Sequence, residues 1–430
     1  MRTHMSLSDY PRIPMSMLPT ARQEFQPNES PFATADLTVK VLRSFEEAAS
    51  LRELWDKLVL ELQAELYGSF DWCRIWWSHY GRGRELRIFA FYAGGELVGV
   101  VPMFRERLWI CGGLRIAKLV GCDFALALCS LLVHASGASE AIRRVVSYWL
   151  NEGGCDAVWL GPLNGSDSSR EHARLACRSL ASEVAIARDA EIGVHSSFHL
   201  PPSFEEYVQG LDKRQKQNFR RDMNLLQRSF KTESDTIVGE EEAVSEFETF
   251  QRMHAEQWAA QGKLGHFQDW PDGLAFNRDL TRELARLGRL RFYRLLVDGK
   301  VVSYQYGYRL GDRLCWRLPA RPAAREWDRF GLGRVGLMKM IEDAIAEGVR
   351  HIEGGCGHYD YKVQLGAKEY PLGSLLISST RVGSRLRCRC LVLVSRLLHL
   401  LYYRIWFGRI APKLPLPRRS LWRSWIKTRI

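Results

Sequence analysis

The chain has 430 residues, of which 46% are hydrophobic. This length exceeds what one ordinary hydrophobic core organises and is ample for two domains. Its ten cysteines include no C-x-x-C pair, and no apolar leader precedes them, which excludes a disulfide scaffold and a paired-cysteine zinc site. We therefore expect a cytoplasmic protein with no metal site.

The formal net charge of +12 is unevenly distributed along the chain. Residues 381–430 contain thirteen Lys and Arg and neither Asp nor Glu, which leaves residues 1–380 close to neutral. The basic character therefore belongs to a C-terminal tail and not to the body of the protein. At the other end, residues 1–36 are rich in proline and contain no long apolar run, so we expect a disordered tail there.

Two stretches of the sequence indicate an internal duplication. LRIFAFYAGGELVGVV (86–101) and LRFYRLLVDGKVVSYQ (290–305) align at a constant offset of 204 residues. Each predicts a β-hairpin, because a glycine-containing turn separates two strand-like runs. A second correspondence follows at 140–160 and 334–353, where a helical stretch ending in Glu-Gly precedes a short strand.

Because these units recur in the same order, they predict a duplicated α/β (α+β) domain, each copy a mixed, twisted sheet flanked by helices. We place an N-terminal domain at 37–205, a C-terminal domain at 206–380 and a basic amphipathic helical tail at 381–430. The alternative is that hairpins with glycine turns recur here without duplication.

A basic amphipathic helix is predicted between the two domains, at 211–231. Its apolar residues fall near helical spacing, and basic residues occupy the positions between them. The basic face is either a solvated surface of a connecting helix or a contact for phosphate or another polyanion.

The segment HIEGGCGHYDYKVQLGAKEYPLG follows a helix ending in AIAEG and the arginine-rich stretch RLPARPAAREWDRFGLGRVGL. This arrangement resembles the GNAT-superfamily acyltransferases of the CelD-like type, associated with cellulose biosynthesis, and the related FemAB-like transferases. The resemblance covers about residues 37–380. The family's acidic residue, glycine and Tyr-Lys pair correspond to Glu353, Gly357, Tyr361 and Lys362, although the family more usually has aspartate in place of Glu353.

The resemblance implies a tandem GNAT-like fold and an acyl donor, which is acetyl-CoA or another acyl-CoA, or alternatively an aminoacyl-tRNA. It implies an amine or hydroxyl acceptor, on a small molecule or on a polysaccharide or cell-envelope precursor. It does not identify that acceptor. Nucleic acid other than tRNA is not expected as a partner.

The chemistry of such an enzyme predicts where its donor would bind. Gly331 and Gly333 precede a helix, whose free N–H groups and positive end favour a pyrophosphate, and Arg329 and Arg334 flank this turn. The alternative is a plain loop entering a helix. Trp316 and Leu318 lie in the strand 314–318 and would be near the cofactor arm, because Pro319 ends the strand's capacity to donate hydrogen bonds. The alternative is that Pro319 simply marks the end of the strand.

A general base is needed, because an alkylammonium acceptor has a pKa of about 10. Glu353 and His358 are the candidates; the alternatives are that Glu353 pairs with Lys362 or caps a helix, and that His358 is a surface residue. Tyr361 would protonate the departing thiolate. Lys362 would bind a phosphate or an acceptor hydroxyl.

His254 and Trp258 lie one helical turn apart and form either a wall of the acceptor site or part of the core. The N-terminal half offers no complete catalytic set and is interpreted as an acceptor-side wall or a structural partner. Because no G-x-S-x-G, H-E-x-x-H or complete Walker A motif is present, direct transfer without a covalent enzyme intermediate is expected.

The apolar run at 390–407 is interrupted by Arg396, His399 and Arg404 and falls short of the roughly 20 residues of a spanning helix. We expect it either to contact an anionic membrane surface at the inner face, or to dock on the enzyme body, or to bind RNA. A non-enzymatic reading also remains open, in which a degenerate GNAT pair acts as a scaffold at a membrane-associated complex.

Overall fold

The structure, a computed structural model, describes residues 37–125, 128–414 and 419–430. The predicted disordered tail at 1–36 lies outside the described residues. The N-terminal part forms, in chain order, β1 Thr38–Leu42, α1 Arg52–Glu61, α2 Phe70–Tyr80, β2 Glu85–Ala93, β3 Glu96–Leu108, β4 Leu114–Leu119, β5 Leu132–Val133, α3 Ala135–Leu150, β6 Ala157–Asn164, α4 Ser169–Ser179 and β7 Val184–His199.

The C-terminal part repeats this series of elements and continues into the tail. It consists of α5 Phe204–Gly210, α6 Lys213–Ser229, β8 Thr232–Ile237, α7 Glu240–Ala259, α8 His266–Asp269, α9 Gly273–Arg286, β9 Leu290–Val297, β10 Lys300–Leu310, β11 Arg313–Ala320, α10 Leu332–Ala346, β12 His351–Cys356, α11 Asp360–Gln364, β13 Lys368–Ser379, α12 Val382–Leu397 and α13 Arg423–Thr428.

The strands form one continuous mixed sheet in the order β1-β2-β3-β4-β6-β13-β7-β12-β11-β10-β9-β8, and β5 adds to β3. The two predicted hairpins are β2-β3 and β9-β10. Gly95 and Gly299 adopt the positive φ that their turns require. In each half a parallel pair follows, β4 with β6 and β11 with β12. These matching orders confirm the predicted duplicated α/β fold.

The two halves exchange their last strands. β7 belongs to the N-terminal half by sequence yet pairs with β12, and β13 belongs to the C-terminal half yet pairs with β6. The exchanged strands also pair with each other, from Lys368 opposite Ser197 to Ser379 opposite Val184. The predicted boundary at 205/206 therefore lies between β7 and α5, while the sheet runs continuously through the exchanged strands.

Aromatic side chains of the N-terminal half form much of the core. Trp72 and Trp76 of α2 are almost completely buried, and the Trp72 ring meets Phe276 of α9 edge-on at 6.0 Å. A buried aromatic side chain removes about 150–250 Å² from water, so α2 binds the two halves together through apolar contact.

The tail combines a docked end with an exposed helix. Trp425 and Ile426 of α13 are buried, and Lys427 pairs with Glu106 at 3.0 Å. By contrast, α12 continues through a π-helical segment, and one helix in the described part of the chain, Val382–Lys413, is long and apolar enough to cross a membrane. The short apolar stretches expected from the sequence are thus joined into one longer helix.

Candidate active site

The parallel strands β11 and β12 separate shortly after they begin. Their pairing covers Arg313 opposite His351 to Cys315 opposite Glu353. Beyond that point β11 continues beside β10 alone, and β12 continues beside β7. β11 therefore opens from β12 beyond Cys315, and the separation leaves backbone groups of both strands without a partner across the gap.

Glu353 lies at the point where the strands separate. Its side chain is completely buried, its Oε2 accepts a hydrogen bond from the Tyr67 hydroxyl at 2.8 Å, and its Oε1 accepts one from the Gly355 N–H at 2.6 Å. Burial raises the pKa of Glu353, and the nearby Glu65 carboxylate raises it further. A carboxyl with a raised pKa is a stronger proton acceptor than an ordinary surface glutamate.

Tyr67 reaches this carboxyl from the N-terminal half. It lies in a short 3₁₀ turn, Leu66–Gly68, between α1 and α2. The Tyr67 oxygen accepts hydrogen bonds from Arg317 Nη1 at 3.2 Å and from the Cys315 thiol at 3.1 Å. Burial raises the pKa of the Tyr67 hydroxyl, so it remains protonated and donates to Glu353. The N-terminal half therefore contributes a functional group to the site.

Ion pairs fix this turn against the strands. Glu65 is buried and pairs with Arg313 of β11 and with His351 Nε2 of β12, the latter at 3.3 Å. Although burial opposes it, the hydrogen bond from His351 and the charge of Arg313 lower the pKa of Glu65. Glu65 thus holds together the first residue pair of the two strands, which separate two residue pairs later, and it positions Tyr67.

Lys362 is buried at the end of the α11 turn. Its ammonium donates to the Gly354 carbonyl oxygen and lies 5.5 Å from the Trp316 ring centre and 4.5 Å from that of Tyr359. Burial lowers the pKa of Lys362 to about 8. Within the described residues Lys362 forms no ion pair with Glu353, so the alternative of a simple Glu353–Lys362 pair is not observed.

Tyr361 and His358 occupy different surroundings. The Tyr361 ring meets Trp316 edge-on at 6.4 Å, and burial raises the pKa of its hydroxyl. His358 is exposed, with Nδ1 2.8 Å from Glu369 and Nε2 3.0 Å from Asp360. These contacts favour the interpretation of His358 as a surface residue and leave Glu353 as the stronger candidate base.

The predicted pyrophosphate turn lies at the start of α10. Gly331 is in the left-handed region with φ of 60°, and a side chain there would strike the Asp222 carboxylate of α6. That carboxylate also accepts a hydrogen bond from Arg334. By contrast, a Cβ on Gly333 would meet nothing within 4 Å, and Arg329 is exposed. The open side of the helix end is therefore at Gly333 and Arg329.

These features fit a CoA thioester. The first N–H groups of a helix lack intrahelical partners and attract anions, and the surface beside Gly333 is open to receive one. Trp316 is buried at the strand separation and Leu318 is partly buried beyond it. Because Asp222 already pairs with Arg334, Arg329 and the helix N–H groups are the candidates on this turn to bind an anion.

His254 and Trp258 do contact each other, with ring centres 5.9 Å apart. His254 is buried: Nδ1 lies 3.1 Å from the Pro319 carbonyl oxygen, and Nε2 lies 3.2 Å from His266. Burial lowers the pKa of His254 to about 4. These contacts anchor the end of β11 and favour the core interpretation for His254, whereas Trp258 is only partly buried.

The sequence interpretation missed Tyr67, Glu65, Cys315 and Arg317. The last two alternate with Arg313 along β11, so period-two spacing in a predicted strand was a signal that they share a face. Tyr67 and Glu65 carry no such signal, because they approach the strands from a turn far away in sequence.

Comparison with known proteins assigns the C-terminal part to a family. Residues 213–363 match the family described as acetyltransferase (GNAT) domain. The chain therefore contains a GNAT acetyltransferase domain and is an acyltransferase-type enzyme. No curated protein matches it.

Among solved structures, that of FemX superposes with a TM-score of 0.57 at 11% identity and covers 76% of this chain and 95% of its own. This likeness shows a shared fold. A tandem GNAT protein from the clavulanic acid biosynthesis pathway has a TM-score of 0.39 at 14% identity, covering 80% of this chain and 98% of its own. A putative lysylphosphatidylglycerol synthetase domain from Agrobacterium fabrum has a TM-score of 0.42 at 10% identity, covering 70% and 85%.

Glu353→Gln should change how stability depends on pH. The pKa of Glu353 is raised in the folded protein from its ordinary value of 4.5, so the folded state binds the proton more tightly than the unfolded state does. The stability of the wild type therefore falls as pH rises from 4.5 to the pKa of the folded state. The glutamine variant lacks this fall. Its free energy of unfolding relative to the wild type therefore increases by about 1.4 kcal/mol for each pH unit within that range.

Urea denaturation of both proteins between pH 5 and pH 9 measures this difference. The exposed Glu152→Gln variant is the control and should follow the wild type. A constant difference between Glu353→Gln and the wild type across that range would show that the carboxyl is not perturbed.

Proposed function

We propose that this GNAT-type enzyme transfers an acyl group from acyl-CoA to an amine or hydroxyl acceptor, with Glu353 as the general base. The observation that carries the proposal is a buried carboxyl with a raised pKa at the point where β11 and β12 separate. Raised carboxyl pKa values in a cleft are typical of catalytic bases.

The residues of the chain define the steps. Acyl-CoA, when bound, supplies a thioester carbonyl as the electrophile. The acceptor nitrogen or oxygen bonds to the acyl carbon, its proton passes to Glu353, the carbon–sulfur bond breaks, and the departing sulfur takes a proton from Tyr361. Tyr67 fixes the orientation of Glu353 through its 2.8 Å hydrogen bond, and Gly355 fixes the other carboxyl oxygen.

The donor would be held by the groups at the start of α10 and along β11. We propose that Gly331, Gly333 and Arg329 contact the pyrophosphate, with Arg334 closing the far side through its pair with Asp222. Trp316 and Leu318 would line the pantetheine arm. His254 and Trp258 would support the acceptor side by fixing the end of β11.

The acceptor and the pathway are proposed from the family resemblance. A CelD-like role would place the acceptor on a polysaccharide or cell-envelope precursor, in cellulose or a related pathway. A second candidate is a FemAB-like transfer from aminoacyl-tRNA, which is favoured by the exposed basic residues of α6, beside the start of α10: Lys213, Arg214, Arg220, Arg221 and Arg228.

Gly333→Glu should abolish acyl-CoA binding. The substitution meets no neighbour, so the fold is preserved, while a carboxylate is placed among the N–H groups that would hold a phosphate. Gly383→Glu is the matched control, because Gly383 also occupies the first turn of a helix and also faces open space. Calorimetric titration with acetyl-CoA and longer acyl-CoAs measures both.

Saturable binding that is lost only in Gly333→Glu supports the donor site. If the wild type binds no thioester but binds aminoacyl-tRNA, the second candidate is supported. If it binds neither, both proposed donors are contradicted.

Glu353→Gln should retain acyl-CoA affinity and lose transfer. Glutamine keeps the size of the side chain and one acceptor oxygen but cannot accept the acceptor's proton, so thiol release should fall by about 10²–10⁴-fold. Thiol release from acetyl-CoA, measured over a panel of amino sugars and amino acids, reports the rate. An undiminished rate in a variant that binds acetyl-CoA normally would remove Glu353 from the base role.

We further propose a cytoplasmic protein that binds peripherally to the inner face of a membrane. The outer face of the helix 382–413 carries strongly exposed apolar side chains, including Val382 at 84%, Leu386 at 67% and Leu393 at 58%. Trp109, 72% exposed, lies in a turn beside α12. Basic residues and no acids accompany these side chains, which suits anionic lipid.

Leu386→Asp combined with Leu393→Asp should weaken vesicle binding more than about tenfold, because two apolar side chains would no longer enter the lipid. Flotation with phosphatidylglycerol vesicles measures this. Leu175→Asp, at another exposed leucine, is the control. Equal flotation of both variants and the wild type, or no flotation of the wild type, would contradict a lipid-binding face.

A further inference from the structure

Two cations border the strand separation without an acidic partner. Arg317 donates to the Tyr67 hydroxyl at 3.2 Å and to the Ala125 carbonyl oxygen at 3.4 Å, and its buried Nε has no hydrogen-bond partner. Lys362 donates to the Gly354 carbonyl oxygen. Both sets of acceptors are neutral. Across residues 37–125, 128–414 and 419–430, neither cation forms an ion pair.

The neighbouring acids are already engaged. Glu353 is bonded by Tyr67 and Gly355. Glu65 is paired with Arg313 and His351, and Glu369 lies 2.8 Å from His358. Within the described residues, none of these carboxylates forms an ion pair with Arg317 or Lys362.

Burying a cation costs several kcal/mol unless an anion or a set of hydrogen bonds compensates it. Lys362 is only 5% exposed and its ammonium has three donors, of which the Gly354 carbonyl accepts one. The rings of Trp316 and Tyr359 supply a weaker electrostatic contact. A bound anion would compensate both Lys362 and Arg317.

Arg317 and Lys362 affect the same neighbouring side chains. Arg317 and Lys362 both lower the pKa of His266, where burial is the larger cause. Both also oppose the rise that burial produces in the pKa of Cys356, and Arg429 of the tail acts on Cys356 in the same direction. Arg317 bonds to the Tyr67 hydroxyl, which bonds to Glu353, and Lys362 bonds to the carbonyl of the next residue, Gly354, so both cations border Glu353.

A nearby histidine is also without a partner. His195 of β7 lies opposite Cys356, is completely buried, and has no hydrogen-bond partner at either ring nitrogen. Buried polar groups in folded proteins are nearly always bonded, so an orphaned one points to a ligand or a bound water. This observation is independent of the cations and concerns the strand that pairs with β12.

We propose that Arg317 and Lys362 bind an anionic group of the acceptor, a carboxylate or a phosphate, beside Glu353. The inference rests on the proposed acyl transfer and specifies its acceptor class: a molecule with an amine or hydroxyl and an anionic group, such as an amino acid or a phosphorylated amino sugar. Binding the anion there would place the nucleophile near the base.

The side chain of Lys362 reports directly on such binding. Its pKa is about 8, and an anion bound beside it favours the charged form and raises that value. The rate at which an amine-reactive ester labels Lys362 across pH, followed by peptide mass spectrometry, gives the pKa in the full-length protein. The probes are inorganic phosphate and acetate, each compared with chloride at the same ionic strength.

We expect phosphate or acetate, but not chloride, to slow the labelling of Lys362 near pH 8 by more than about threefold. The probe that acts distinguishes a phosphate-bearing from a carboxylate-bearing acceptor. Arg317→Gln should abolish the response, Arg317→Lys should keep it, and Arg321→Gln, which removes a cation at the end of β11, should leave it unchanged. The retained response in Arg317→Lys separates lost charge from lost folding.

No response to either anion, or a full response in Arg317→Gln, overturns the inference. Titration of the same proteins with acetyl-CoA keeps the two proposals apart. Acetyl-CoA binding without an anion response contradicts only the acceptor class. An anion response without acetyl-CoA binding contradicts only the proposed donor.

Discussion

The pairing of the exchanged strands β7 and β13 is the constraint on which the rest of the structure depends. These two strands form a long antiparallel ladder at the centre of the sheet, and each also pairs with a strand of the other half. β11 is paired with β10 along its length, and β12 is paired with the exchanged strand β7. The separation at Glu353 therefore lies between a strand held by the C-terminal hairpin and a strand held by the exchange.

The electrostatics of the site follow from this geometry. The separation occurs inside the protein, so the groups around it are removed from water, and their interactions are stronger than on the surface. Burial raises the pKa of Glu353 and lowers the pKa of Lys362 to about 8. The two shifts bring these pKa values closer together, an arrangement that suits proton transfer.

The halves of the duplication have diverged in function. Both keep a parallel strand pair of the same length, but the C-terminal pair carries the carboxyl and the cations. The N-terminal half contributes Tyr67 and Glu65 through a turn that contacts both strands. In the tail, the charge of Arg429 opposes the rise in the pKa of Cys356 that burial produces, and the long helix carries exposed apolar side chains.

The sequence by itself determined the repeated hairpins, the start of α10, the basic tail and the prominence of Glu353 and Lys362, since these depend on local periodicity, glycine positions and a recognisable segment. Only the tertiary structure decided that Tyr67 meets Glu353, 286 residues away, that the last strands are exchanged, and that Arg317 and Lys362 lack acidic partners. Such contacts depend on which strands pair across the sheet, and single-strand patterns do not encode that choice.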